Sequence, residues 1–245
     1  MHGQGKTTVL KESAFRGIFW MNLAVQKKSS FRYHHFDLNS GCGYNHEVGC
    51  EGSPLVFLNV ADAQSVSNFS AHFVDRDREA IKELLTRIEG RPGCTAYNGE
   101  NREFVKAIPD LIRLDHGNPA KALGTVLCDP NGIDLPLNEL AQLARICPRL
   151  DFVINYPARV WKRARGAGIQ SAQLYLAELL HSLDKQHWII QEPLGCDIHE
   201  FMILVGRNFE FKNWSRMRFH KLDSPKAGEI IQRSFSRNES TLNLF

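Results

Sequence analysis

The sequence predicts an α/β protein built on a doubly wound, mostly parallel seven-stranded sheet that ends in an antiparallel strand pair. Three observations predict it. Short apolar runs alternate with helical patterns five times between residues 33 and 183. Two apolar runs then follow each other around Gly195 with no helix between them. The early strand-like runs end in an acid, an amide or glycines rather than in another apolar residue. Alternation of this kind requires parallel strands joined by helices that cover both faces of the sheet. Right-handed crossovers then wind the chain in both directions from the first strand.

Composition sets the outer bounds. The chain has 245 residues, a net charge of +3, 43% hydrophobic and 23% charged residues. That length holds one domain with decorations, or at most two small ones, and buries a full core. The apolar content excludes disorder as the main state. No apolar run approaches the roughly 20 residues of a membrane span. Lys6, Lys11 and Arg16 are not followed by a signal-like apolar core, so a cytoplasmic protein is expected. The slight excess of base does not by itself imply a nucleic-acid partner. Where the bases cluster says more.

The elements follow in order. Residues 14–26 form a helix with Phe15, Ile18, Phe19, Leu23 and Val25 largely on one side, broken by Lys27 and Lys28. Gly3, Gly5 and Lys6 look like a phosphate loop only superficially, because no earlier glycine and no strand lead into them. Residues 33–38 (YHHFDL) are the first strand, closed by an acid and the glycine turn 40–43. Ser53 as N-cap and Pro54 as first helical residue open the helix 55–63. The strand 71–75 leads to the helix 76–89, where Ile81, Leu84, Leu85 and Ile88 keep helical spacing and Gly90 stops it. The strand 94–98 precedes the helix 103–114, which Pro109 should kink or split. The strand 125–129, the helix 137–147, the strand 151–156 and the helix 171–183 continue the rhythm. The runs 188–191 and 201–205 are the closing pair. Three regions follow: an N-terminal extension with a helix (1–30), the α/β domain (31–208) and a C-terminal basic and aromatic extension (209–245).

The six cysteines include no C-x-x-C pair, so no structural zinc site, and no metal, is expected. Cys94, Cys128 and Cys147 sit in or beside apolar segments and read as buried reduced thiols. Cys42, in the glycine loop with His46 nearby, is the one worth watching.

Doubly wound sheets bind ligands beyond the C-terminal ends of their strands. Those ends carry Asp37, Asn39, Gly41 and Gly43 after the first strand, Asp75 and Arg76 after the second, Asn98, Gly99 and Glu100 after the third, and Asp129, Pro130 and Asn131 after the fourth. Glycines without a Cβ let backbone approach a ligand. An acid closing the second strand can accept both hydroxyls of a ribose. A polar group after the third can read an adenine edge, and Asp37 with Asn39 can take an ammonium group. Singly, each of these acids is also an ordinary helix or turn cap. Together and in this order they describe a nucleoside-type cofactor. A nicotinamide dinucleotide fits less well, since about ten residues separate Gly43 from the helix start at Ser53.

This set resembles the class I S-adenosylmethionine-dependent methyltransferases over residues 33–205. Asp37-x-Asn39-x-Gly41-x-Gly43 looks like their glycine motif, with Asn39 where a glycine is usual. Asp75 matches their ribose-binding acid, and residues 98–101 fall where the adenine is usually held. Asp129-Pro130-Asn131-Gly132 falls on their fourth motif, at the mouth of the transfer site. Within the superfamily the three-Cys-motif partner proteins look closest, through the acid-rich first strand, Gly52-Ser53-Pro54 and the Asp-Pro-x-Gly motif. They tend to carry an aromatic residue where this sequence has Asn131. The resemblance implies a Rossmann-like methyltransferase fold, S-adenosyl-L-methionine as cofactor and transfer to an amino nitrogen of a nucleic-acid base, adenine N6 first. The polar side chain of Asp129 and the carbonyl of Pro130 would accept the target amine's hydrogens. Tyr156 or Trp161 would then supply the stacking face.

The loop 157–170 is long for its kind, and Arg159, Lys162 and Arg163 surround Trp161 there. Bases for phosphates plus aromatics for stacking suit a nucleic acid, DNA ahead of RNA. A second cluster, Arg207, Lys212, Arg216, Arg218 and Lys221, interleaves with Phe209, Phe211, Trp214 and Phe219. A solvated charged face is the plain alternative for both. Two other functions stand beside nucleic-acid methylation: a partner subunit that binds cofactor or nucleic acid with altered or no catalysis, and a small-molecule methyltransferase. A protein partner is a further expectation. His34 and His35 alternate faces of the first strand, so at most one points toward any site, and both read as core or surface histidines.

Overall fold

The computed structural model describes residues 6–27, 31–130, 135–156, 168–192, 202–210, 212 and 214–235. Helix α1 (Lys6–Gln26) leads into β1 (Tyr33–Asp37). A small hairpin of β2 (Tyr44–Asn45) and β3 (Cys50–Glu51) precedes α2 (Ser53–Ala63). Then come β4 (Phe69–Asp75), α3 (Arg78–Arg87), β5 (Cys94–Asn98) and α4 (Asn101–Leu114). They are followed by β6 (Leu123–Cys128), α5 (Leu137–Ile146), β7 (Leu150–Tyr156) and α6 (Gly168–Leu183). Last are β8 (His187–Gln191), β9 (Met202–Arg207), β10 (Phe219–Lys221) and α7 (Pro225–Phe235).

The main sheet runs β10-β8-β9-β7-β6-β1-β4-β5. Strand β1 pairs in parallel with both β4 and β6, while β9 lies antiparallel between β7 and β8. This is the predicted doubly wound sheet with its antiparallel closing pair, and it has one strand more. Phe219–Lys221 adds to the β8 edge, Phe219 opposite Gln191. Three residues are too few to show strand periodicity in the sequence.

Side-chain alternation divides the core into two layers. Phe36 on β1 and Leu38 just beyond it face the layer that holds α4, α5, α6 and α7. Tyr33 faces the other layer, made by α1, α2 and α3. His35 lies on that same face, stacked flat on Phe57 at 4.0 Å and edge-on to Phe19. Burial pushes its pKa down to about 3, so it is a neutral packing residue. His34 is buried on the opposite face, and burial lowers its pKa as well.

Helix α1 starts at Lys6, eight residues before the predicted start, because the sequence shows its apolar stripe only from Ala14. Phe15, Ile18, Phe19 and Leu23 are fully buried, whereas Val25 is exposed. At roughly 1.5–3 kcal/mol for each such side chain, the helix is a structural part of the α2 layer. Lys6 and Thr7 lie within it, and Gly3 and Gly5 fall outside the described residues. Pro109 does not split α4, which runs unbroken from Asn101 to Leu114.

The second basic cluster is divided: Lys212, Arg218, Lys221 and Phe209 are exposed, whereas Arg207, Trp214 and Phe219 pack together against the sheet. Phe211 lies outside the described residues. Arg207 pairs with the buried Asp151 and lies over Trp214, which packs edge-on against Phe219. Trp214 and Phe219 are core residues, so neither is a stacking platform for a base. Burial keeps the thiols of Cys94 and Cys147 protonated, with pKa values near 11, and raises Cys128 further.

Candidate functional site

From β1 the chain moves outward to β4 and β5, then returns across β1 to β6 and β7. The direction of winding therefore reverses between β1 and β6, where the diverging loops open a crevice. Asp37 and Asp129 close the two strands that flank this switch point, and Asp75 closes the next strand out. Register fixes their relative height. Asp37 is level with Phe73 and Leu127, so Asp75 and Asp129 each stand two residues further out. Three carboxylates that are distant in sequence thus line one edge.

Asp37 is completely buried. Its Oδ2 accepts a hydrogen bond from Ser53 Oγ at 2.6 Å, and its Oδ1 accepts one from the Asn39 N–H. Burial pushes its pKa up to about 7 against those two bonds, and the charges of Asp129 and Asp75 push the same way. This bond corrects the predicted cap of α2. Gly52 is the N-cap, because the Ser53 hydroxyl is turned to the buried acid instead.

The two predicted glycines differ in role. Gly41 has φ +57, and a Cβ built on it would meet nothing within 4 Å, so its backbone borders open space. Its N–H donates to Asp75 Oδ2 at 2.9 Å. Gly43 has φ +77, but a Cβ there would stand 2.9 Å from Leu84 Cδ1 and 3.5 Å from Leu55 Cγ. Gly43 is a close-packing residue; the backbone approach to the crevice belongs to Gly41.

Asp75 also accepts from the Asp77 N–H at 2.9 Å. A carboxylate has about four acceptor positions, so two bonds to backbone leave room for the paired hydroxyls of a ribose. Asn98 sits level with Asp75 on β5, and its Nδ2 donates to the carbonyls of Asp75 and Arg76. Gly99 donates to the Asp75 carbonyl, and a Cβ on it would meet nothing within 4 Å. Glu100 is the exposed residue preceding α4, and Arg76 is exposed.

Asp129 has partners that no short motif could reveal. Lys11 Nζ of α1 donates to both of its oxygens, at 3.1 and 2.9 Å. Asn155 Nδ2 of β7 donates to Oδ1 at 2.5 Å. Asn155 Oδ1 is buried and has no hydrogen-bond partner among the described residues. Lys11 lies 118 residues from Asp129 in the chain, so nothing in the sequence links them. Asn155 did leave a signal, as a lone amide next to the end of the apolar strand 151–156.

Pro130 is buried directly after Asp129. Tyr156 is fully buried in the core, 6.1 Å from the Tyr175 ring, so it is a packing residue rather than a stacking face. Its position at a strand end suggested otherwise, but an aromatic there turns inward when the neighbouring helix supplies a partner. Asn131, Arg159, Trp161, Lys162 and Arg163 lie outside the described residues.

No protein-family model matches the chain, and no curated protein does. Among solved structures, protein LPL1258 of Legionella pneumophila, of the DUF519 family, is similar over 91% of this chain and 92% of its own. Its TM-score is 0.60 and its identity 10%. A probable spermidine synthase from Corynebacterium glutamicum covers 89% of this chain and 69% of its own, with TM-score 0.48 and 16% identity. A SAM-dependent methyltransferase from Aquifex aeolicus covers 75% and 87%, with TM-score 0.43 and 12% identity. At such identities the likeness is one of fold. No helix among the described residues is long and apolar enough to cross a membrane.

Proposed function

We propose that the chain is an S-adenosylmethionine-dependent methyltransferase that modifies an amino nitrogen of a nucleic-acid base, with adenine N6 as the first candidate. The observation that carries this reading is the convergence of Asp37, Asp75 and Asp129 near the switch point, with open backbone at Gly41 among them and at Gly99 just past the next strand out. The donor set suits the cofactor. Asp75 has capacity for ribose hydroxyls, and Asp37 is an acid whose ionisation a nearby cation would favour. Asn98 and Gly99 border the adenine end. The narrower kinship to the three-Cys-motif partner proteins rests on Gly52-Ser53-Pro54 and Asp129-Pro130 alone.

When bound, S-adenosylmethionine supplies an electrophilic methyl group on a sulfonium. The chain's own residues then have to align donor and acceptor and draw hydrogens from the target amine. Asp129 is the acceptor placed for that, with Asn155 Oδ1, which has no partner among the described residues, beside it. Lys11 holds the Asp129 carboxylate in place and shares it with the incoming amine. Arg159, Trp161, Lys162 and Arg163 are proposed for the acceptor on their sequence pattern.

The decisive experiment is incubation of the full chain with methyl-labelled cofactor and total DNA or RNA. Label in N6-methyladenine supports the reading. Cofactor binding by calorimetry with no transfer to either nucleic acid favours the partner-subunit alternative, which the Asn131 departure motivates. Transfer to small molecules with no salt dependence favours the third alternative, since phosphate contacts make binding strongly salt-dependent. Asp75→Ala is expected to weaken cofactor binding about tenfold or more, as loss of a charge-assisted bond of roughly 1.5–3 kcal/mol requires. The melting temperature should change little, and unchanged affinity would return Asp75 to the role of a loop cap.

A further inference from the structure

Cys42, His46 and Glu83 come from three different elements and meet at one point. Cys42 lies in the loop after β1, between two glycines of positive φ. His46 lies in the turn of the β2–β3 hairpin, where Asn45 Oδ1 accepts from the N–H groups of Glu47 and Val48 and fixes the turn. Glu83 lies on α3. The Cys42 Sγ, a ring nitrogen of His46 and a carboxylate oxygen of Glu83 all lie within 4.8 Å of one another. We propose that these three side chains form a zinc site with an open fourth position, which ties the glycine loop to α3.

The donor chemistry points to zinc. One thiolate, one imidazole and one carboxylate are a borderline-soft set, and catalytic zinc sites use three protein ligands and a water. With Zn–S near 2.3 Å and Zn–N or Zn–O near 2.0–2.2 Å, tetrahedral donors stand about 3.3–3.6 Å apart. Side-chain rotations that move the donor atoms by about 1 Å bring the set to that size, drawing the wider separations in and opening the 2.7 Å His46–Glu83 contact. The ligand atoms already point inward: His46 Nε2 is 2.7 Å from Glu83 Oε1, and Cys42 Sγ donates to the Tyr44 carbonyl at 2.8 Å. Metal binding replaces both contacts and releases the thiol proton.

Arg87 opposes the metal. Its Nη2 donates to Glu83 Oε1 at 2.5 Å and lies 3.4 Å from His46 Nε2. Two features limit the opposition. A zinc ion held by one thiolate and one carboxylate is neutral overall, so the guanidinium faces no net charge. The guanidinium is also held over the Tyr44 ring, at 5.1 Å, a contact that does not depend on Glu83. The sequence hid the site because Glu83 comes from a helix 37 residues beyond His46.

The test is titration of the chelator-treated full chain with Co²⁺, which reports ligand type directly. One equivalent should produce thiolate-to-cobalt charge-transfer absorption and the strong visible bands of tetrahedral Co²⁺, and Zn²⁺ should bleach both. Cys42→Ser should remove the charge-transfer band, while Cys94→Ser keeps it. His46→Ala and Glu83→Gln should each weaken binding by at least roughly 10–100-fold, the loss typical even of outer partners of a metal site. No tetrahedral spectrum in the wild-type chain, or an unchanged charge-transfer band in Cys42→Ser, overturns the proposal. None of these readouts depends on methyl transfer.

Discussion

Asp129→Asn is expected to lower methyl transfer by about 10²–10³-fold while leaving the affinity for S-adenosylmethionine almost unchanged. The size follows from removing one preorganised polar contact to the reacting group. The direction follows from the contacts themselves. Asp129 receives hydrogens from Lys11 on both oxygens and from Asn155 on one. A carboxylate only accepts, and about one of its four positions then remains for a target amine. In the asparagine variant one oxygen becomes an NH₂ group, which meets the Lys11 ammonium or the Asn155 amide donor against donor. The amine loses its acceptor, and Lys11 loses the charge that holds it. Single-turnover rates and calorimetry on the same preparation separate transfer from binding. Unchanged turnover would make Asp129 a structural partner of α1, holding that helix to the sheet through Lys11.

The strand–helix rhythm was legible because the central strands β1, β4, β6, β7 and β9 are buried on both faces and read as largely apolar runs. Handedness made the sheet doubly wound, while the reversal that brings β6 beside β1 is a fact of the tertiary structure. The acids at the strand ends were legible as a set, because singly each has the ordinary explanation of a cap, whereas their recurrence at successive strand ends does not. What stayed hidden depends on contacts between distant segments. Lys11 on Asp129, Glu83 beside Cys42, and Ser53 turned from its helix end to Asp37 are pairings that no local pattern encodes. Tyr156 and Arg207 misled for a related reason. An amphipathic side chain reads the same in a sequence whether it meets a ligand or, as here, Tyr175 and Asp151. Local spacing therefore placed the crevice, and tertiary packing decided which of its residues remain open to a ligand.

Asp37 links the fold to the proposed cofactor through pH. Its pKa is about 7 in the folded chain against an ordinary 3.8. Between those values the folded state holds a proton that the unfolded state has lost. Stability from this group is therefore complete below about pH 4 and declines as pH rises, by about 1.4 kcal/mol per unit, levelling off above about pH 7. His35 and His72, with pKa values pushed by burial to about 3 and about 4, act with the opposite sign below their ordinary 6.5. The informative quantity is hence the difference between Asp37→Asn and wild type. An asparagine can keep both bonds, accepting from the Asn39 N–H and donating to Ser53 Oγ, but it does not titrate. Its relative stability should climb from pH 4 to pH 7 and then stay level, as urea midpoints at matched pH would record. Cofactor binding should respond in the reverse sense. A ligand that brings a sulfonium or ammonium beside Asp37 favours the carboxylate, so wild-type affinity rises through pH 7 while the variant's stays weak and flat. A stability difference with no pH dependence would mean that the carboxyl is not shifted. A stability difference of the expected shape with a pH-independent affinity would leave Asp37 as a structural acid and place the ligand's positive charge elsewhere in the crevice.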